Sequence, residues 1–340
     1  MSIPLFTQTH ALTGSPQRFW ITVNASGGWD PTLLIDPKGD RPRADGRGPV
    51  NNYSEDAITM AGNIPFAGGY PEGVEPPNGD SPGHLANFFA RHHNHLLVIN
   101  GIDTQTNNHD AGSRFVWSGK IETGYPSFTA LVAADAAPSE LLAFISNDGY
   151  DFTASLVAPV RVGSDDVFRQ LAFPNAGRPG SPPDKRLPYF IDELYSEIEV
   201  ARRARLQRLQ NRESLPLRQR RLQELYTARS GDNNLHRLVE ALPDEPSRAL
   251  MGQAEIAVAA FATGVAVSAN LSMGGFDTHG NHDQNHYRRM TELLVGIDHL
   301  WEQIEQHGLQ DKITVVVGSD FGRTPFVLQQ QSRQGPLECD

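Results

Sequence analysis

Apolar positions along this chain of 340 residues follow two alternating patterns: short unbroken runs closed by glycine turns, and longer stretches with helical spacing. Phe19-Trp20-Ile21-Thr22-Val23 is β-rich and gives way to Asn24-Ala25-Ser26-Gly27-Gly28, which predicts a buried strand entering a tight turn. Gly83 to Arg91 predicts a helix and His95 to Asn100 a second buried strand, ended by Gly101. Ser127 to Ala134 predicts a helix and Leu141 to Ile145 a short strand before Asn147-Asp148-Gly149. Ala254 to Thr263 is an Ala-rich helix, followed by a strand over Val265 to Leu271 and the Gly274-Gly275 turn. Tyr287 to His307 places Leu293, Leu294, Ile297, Leu300, Trp301 and Ile304 on one helical stripe, and Ile313 to Val317 is again strand. Such alternation predicts an α/β domain with a mostly parallel sheet and helices on both faces.

Two stretches break the pattern. Residues 37–82 are dense in Gly, Pro, Asn and Asp and predict an irregular excursion over the surface. A Pro/Gly-rich linker, Pro174 to Pro188, precedes a charged helical stretch from Ile191 to Ser230 that Pro216 interrupts, read as an inserted helical hairpin over 189–232. Its arginines, including Arg202, Arg203, Arg205, Arg208, Arg212, Arg218, Arg220 and Arg221, fit a solvated face pairing with acids elsewhere in the chain; the sharper reading is a docking surface for an anionic partner. One core carrying both insertions accounts for residues 1–340 as a single domain.

The net charge of -11 argues against a nucleic-acid partner, because phosphate backbones are bound mainly by Lys and Arg. The single cysteine, Cys339, excludes an internal disulfide and a cysteine zinc cage, so any metal must be held by oxygen and imidazole. No apolar run is long enough to span a bilayer, and Met1 to Gln17 has no basic segment followed by an apolar one, so no signal peptide is read in it.

Three aspartates, Asp30, Asp277 and Asp320, each follow a predicted strand through a Gly or Ser turn. Parallel strands bring their carboxyl ends to one edge, where clustered carboxylates repel until a cation joins them. His279, two positions after Asp277, adds a nitrogen donor from the same loop. His282 and His286 share a helical face and are read as surface or supporting histidines, and His92, His93 and His95 as solvated helix-end residues.

Gly274-Gly275-Phe276-Asp277-Thr278-His279 and Thr314 to Pro325 resemble the DUF1501 family, a branch of the alkaline phosphatase and sulfatase superfamily. Ser26-Gly27-Gly28-Trp29-Asp30 is similar to its N-terminal motif, and Asn108-His109-Asp110-Ala111 with Ser118-Gly119 to its second. The resemblance implies a three-layer α/β/α sandwich of the alkaline phosphatase type with a divalent metal (Zn, Mn, Ca or Mg) at the strand ends. Asp30, Asn108, Asp277, His279 and Asp320 are the implied ligands, and His109 an acid/base or supporting group. Arg323 is either an anion clamp or a structural partner of a nearby acid. The implied activity is hydrolysis of a phosphate or sulfate ester, small-molecule or glycan, in an exported or periplasmic protein; the alternative is an inactive member serving in binding or assembly.

The chain departs from the family pattern in three places. Asn108 stands where many members carry a serine, and Phe321 stands where superfamily relatives carry a histidine beside the aspartate. The polar stretch after residue 326 lacks the expected last histidine, which predicts a truncated or aberrant end. Asparagine is no nucleophile, although its carbonyl can bind a hard cation.

Overall fold

In the computed structural model, residues 18–46, 48–68, 84–137, 142–161, 172–177, 188–229, 235–243 and 247–323 are described. Five parallel strands form the sheet: β1 (Phe19–Ala25), β4 (Phe144–Ser146), β5 (Pro159–Arg161), β6 (Ser268–Met273) and β7 (Ile313–Gly318), in the order β5-β4-β6-β1-β7. β1 pairs with β6 and β7 on its two sides, Trp20 lying opposite both Ser268 and Thr314. That central position covers both of its faces: Ile21, Val23 and Ala25 are fully buried on one, and Thr22 and Asn24 are buried on the other. Each such Ile or Val side chain contributes roughly 1.5–3 kcal/mol of burial free energy.

Successive strand residues point to opposite faces, and β1 shows what covers each. Phe19 stacks on Phe261 of α7 (Ala249–Ala262), ring centroids 4.9 Å apart, whereas Trp20 meets Phe128 of α3 (Phe128–Ala136) edge-on at 4.9 Å. α7 packs in turn on α8 (His282–Gln306), placing both on the face opposite α3. The α3 face is polar but satisfied: Thr22 Oγ1 donates to Asn270 Oδ1 at 2.7 Å, and Asn270 Nδ2 donates to the Tyr150 carbonyl at 3.1 Å. On that face, too, α2 (His109–Ser118) sends Trp117 Nε1 to Asn24 Oδ1 at 3.1 Å.

The structure corrects three details. Within the 37–82 excursion, Ile58–Ala61 and Ile64–Ala67 form an antiparallel hairpin, β2 and β3, whose Phe66 is buried against Phe89 of α1 (His84–His92). The predicted strand over 95–100 has the alternation of a strand but no ladder partner among the described residues. Leu96 and Val98 pack on the core while Leu97 and Ile99 are 84% and 65% exposed. His92 is buried, its Nε2 2.7 Å from Asp298 Oδ1 of α8, and is therefore not a solvated helix-end residue. Tertiary contact with α8, invisible in a local pattern, makes that difference.

The inserted hairpin consists of α4 (Asp192–Arg212) and α5 (Pro216–Arg229), with proline at the first position of the second helix, where its missing N–H costs nothing. α6 (Leu235–Ala241) leads back to α7, which makes eight α-helices among the described residues. None of them is long and apolar enough to cross a membrane.

Candidate functional site

All five strands run one way, so the turns after β1, β6 and β7 share the carboxyl edge of the sheet. There the Gly27 N–H, 293 positions away in sequence, donates to Asp320 Oδ2 at 3.0 Å. Trp29 N donates to Ser319 Oγ at 2.9 Å, and Arg323 N donates to the Trp29 carbonyl at 2.8 Å. The approach requires glycine. A Cβ on Gly27, whose φ is +121°, would lie 2.3 Å from Asp277 N, and one on Gly28 2.3 Å from the Phe321 ring.

The loop after β6 divides its side chains between two clusters. Asp277 and His279 project into the first, with His109, Asp320 and Arg323. His109 Nδ1 is 2.7 Å from Asp320 Oδ2, and its Nε2 faces Asp277 Oδ2 at 3.6 Å. His279 Nε2 is 2.8 Å from Asp277 Oδ1, which also accepts from Arg323 Nη2. Arg323 Nε donates to the Gly28 carbonyl at 2.9 Å, so the guanidinium ties the N-terminal turn to this loop. Burial pushes the Asp277 carboxyl up, but the Arg323 hydrogen bond and charge, then His279 and His109, hold it below the usual range. Phe321, standing in place of the histidine that the resemblance calls for, packs its ring 4.9 Å from that of His109.

Thr278 points the other way, into a closed circuit around Asp30. Asp30 N donates to His286 Nε2 at 2.7 Å, which leaves the His286 proton on Nδ1, 3.0 Å from Thr278 Oγ1. The Thr278 hydroxyl is then free to donate to His282 Nδ1 at 2.8 Å, and His282 Nε2 donates to Asp30 Oδ2 at 3.2 Å. Asp30 Oδ1 accepts from Thr32 N at 2.9 Å and Thr32 Oγ1 at 2.6 Å. Every member is buried. Burial first, then the neighbouring His282 and Arg323, pushes His286 down to about 2. His282 and His286 are thus not surface residues. They lock a carboxylate, a role that their spacing of four permitted but did not reveal.

The sequence-predicted residues therefore separate. Asp277, His279, Asp320, His109 and Arg323 come together; Asp30 lies on the other side of the loop with its oxygens engaged. Asn108 caps α2, its Oδ1 accepting from Ala111 N at 3.0 Å. Of the two roles open to Arg323, the structure displays the pairing with an acid. Among the described residues, no three His, Cys, Asp or Glu side chains are grouped closely enough to hold a metal ion. One atom nevertheless asks for a partner: Asp320 Oδ1 is buried, on a residue with no exposed surface, and accepts no hydrogen bond.

Gly112 sets the distance between α2 and this cluster. A Cβ there would lie 2.2 Å from the Asp320 backbone oxygen, a contact that no side-chain rotation relieves. Gly112→Ala is expected to push α2 outward with His109 and to lower the unfolding free energy by about 1–3 kcal/mol, despite alanine's better helix propensity. A urea midpoint equal to or above that of the parent would refute this.

A family model described as a protein of unknown function, DUF1501, matches residues 18–335. No curated protein and no solved structure matches the chain.

Proposed function

The chain belongs to the DUF1501 family, and on that premise we propose that it is a metal-dependent hydrolase-like protein of the alkaline phosphatase superfamily, acting on a phosphate or sulfate ester of a small molecule or glycan. The observation that carries this reading is Asp320, a buried carboxylate with one oxygen held by Gly27 and His109 and the other bare. An unpartnered carboxylate oxygen in a buried site is costly, and a cation removes the cost. Asp320, with Asp277 and His279 from the adjoining loop, would hold it. Asp30 and Asn108 are committed to hydrogen bonds and would support the site from outside. The oxygen donors suit Mg, Ca or Mn, and Asp277 with His279 suits Zn or Mn.

When bound, such an ion withdraws charge from a phosphoryl or sulfuryl oxygen and eases deprotonation of water. The chain's own part falls to His109. An ionised Asp320 can only accept, so it fixes the His109 proton on Nδ1 and leaves Nε2, on a side chain that is 45% exposed, to take a proton from an attacking water. Asn108 cannot attack and Thr104 Oγ1 is turned to the Thr106 carbonyl, which leaves water as the nucleophile in this reading.

Asn108, standing where many members carry a serine, also favours a second reading, a non-catalytic member that binds ligands through the same groups. Assaying aryl phosphates, phosphodiesters and aryl sulfates with added Mn, Zn, Ca or Mg separates the two. Metal-stimulated turnover that falls about 100-fold or more in Asp277→Ala is expected for the hydrolase. Absence of turnover with every metal would leave the binding role.

A further inference from the structure

The loop after β6 alternates as a strand does: Phe276 and Thr278 are buried, whereas Asp277 and His279 are exposed. The two outward side chains therefore take their direction from the two inward anchors beside them. Phe276 N donates to the Ser26 carbonyl at 3.2 Å, and Thr278 N closes a tight turn on the Phe276 carbonyl at 2.9 Å. The Phe276 ring meets His286 edge-on, centroids 5.5 Å apart, and the Thr278 hydroxyl lies between His286 and His282, so both anchors end on the histidine pair of α8.

The chemistry at the second anchor is restrictive. The Asp30 N–H can only donate and the ionised Asp30 carboxylate can only accept. Between these two ends the circuit runs one way, through His286, Thr278 and His282. The middle residue must accept from one imidazole and donate to the other through a single atom, 3.0 Å and 2.8 Å away. A hydroxyl does both, and valine, of nearly the same shape, does neither. Without it the His286 N–H and the bare His282 nitrogen stay buried and unpaired, the costly case for a hydrogen bond. On the exposed side Arg323 also joins the β1 turn to this loop, from the Gly27 and Gly28 carbonyls to Asp277. A cation on Asp277 Oδ1 competes with Arg323 for that atom, so the exposed grip loosens as the site fills. The buried grip does not.

We propose that Thr278 is the positioning residue of the sheet-edge site: its hydroxyl, through His282 and His286, holds the loop so that Asp277 and His279 face His109 and Asp320. Only what those two side chains hold depends on the proposed metal reading; the fixing of the loop does not.

Thr278→Val and Thr278→Ser, compared with the parent in two measurements on the full chain, test this. Hydrogen–deuterium exchange over residues 274–281 reads the loop: it is expected to quicken about tenfold or more in the valine variant and to stay near the parent in the serine variant, with β6 and β7 unchanged in both. Calorimetric titration with Mn, Zn, Ca and Mg reads the site: the valine variant is expected to bind about 10- to 100-fold more weakly, and serine to restore affinity to within about threefold of the parent. Loop exchange equal in parent and valine variant overturns the inference, as does a quickening spread equally over β6 and β7. So does an unchanged metal affinity in a valine variant whose loop has loosened. Serine behaving as valine assigns the effect to packing and overturns it too. A parent that binds none of the four ions refutes the metal reading instead, and the exchange comparison still decides whether Thr278 fixes the loop. If Thr278→Val does not fold, His282→Gln takes its place with the same expected results, since it keeps a donor toward Asp30 and removes the acceptor of the Thr278 hydroxyl.

Discussion

Acidification from pH 6.5 to pH 4.5 is expected to remove about 2–3 kcal/mol of unfolding free energy through His286 alone. Burial holds this imidazole neutral in the folded protein, down to about 2, against 6.5 when free. Between those values the unfolded chain binds a proton at this site that the folded chain refuses, so stability falls as pH falls, by roughly 1.4 kcal/mol per unit. The contribution is complete above about 6.5 and is lost progressively below it. His286 cannot simply take up the proton, because Nε2 already accepts from Asp30 N and protonation there would set two donors against each other. For a domain stabilised by about 5–15 kcal/mol, the term is a substantial fraction. Urea denaturation at half-unit pH steps measures it. His286→Gln should be less stable at neutral pH but should show a gentler slope; equal slopes in parent and variant would assign the acid sensitivity to other groups.

The sequence made the sheet legible and the wiring of its edge much less so. β1, β6 and β7 were readable because each contains or directly follows a run rich in β-branched and other apolar residues and ends where a glycine or serine turn follows, although Thr22, Asn24 and Asn270 make the face of β1 and β6 toward α3 polar. Which way an aspartate points after such a turn is decided by partners far along the chain. Asp30 and Asp320 follow similar strands, yet His282 and His286 on α8 draw one away while His109 and Gly27 hold the other. Nothing local distinguishes them. The helical pair His282 and His286 was visible as a pair, but its burial depends on α8 passing beneath the first turn. For residues 95–100 the pattern showed the alternation of burial but not the structure: His95 closes a 3-10 helix and 96–100 form no strand, since alternation describes one segment and a ladder needs two. The predicted irregular end after residue 326 lies outside the described residues.

Substituting Asp320 by asparagine is the sharpest probe of the edge, because it preserves shape and removes charge at the one buried carboxylate, among the described residues, with an unused oxygen. Oδ2 receives a backbone N–H and the His109 ring nitrogen, while Oδ1 receives nothing. If a cation completes the site, the charge at this oxygen is a main source of its affinity. Asp320→Asn is then expected to weaken binding of Mn by about 10- to 100-fold in calorimetric titration. It should also abolish most of the metal-induced rise in melting temperature, which follows binding by mass action. If instead the site is a hydrogen-bonded cluster alone, the variant costs stability without metal: an amide nitrogen at the Oδ1 position is a buried donor with no acceptor, worth about 1–3 kcal/mol. The two cases part on one comparison. A Mn affinity equal in parent and variant, or a parent that binds none of Mn, Zn, Ca and Mg, removes the cation from Asp320 and with it the hydrolytic reading. A lost affinity in a variant whose metal-free urea midpoint stays close to that of the parent ties the ion to the carboxylate rather than to a collapsed site.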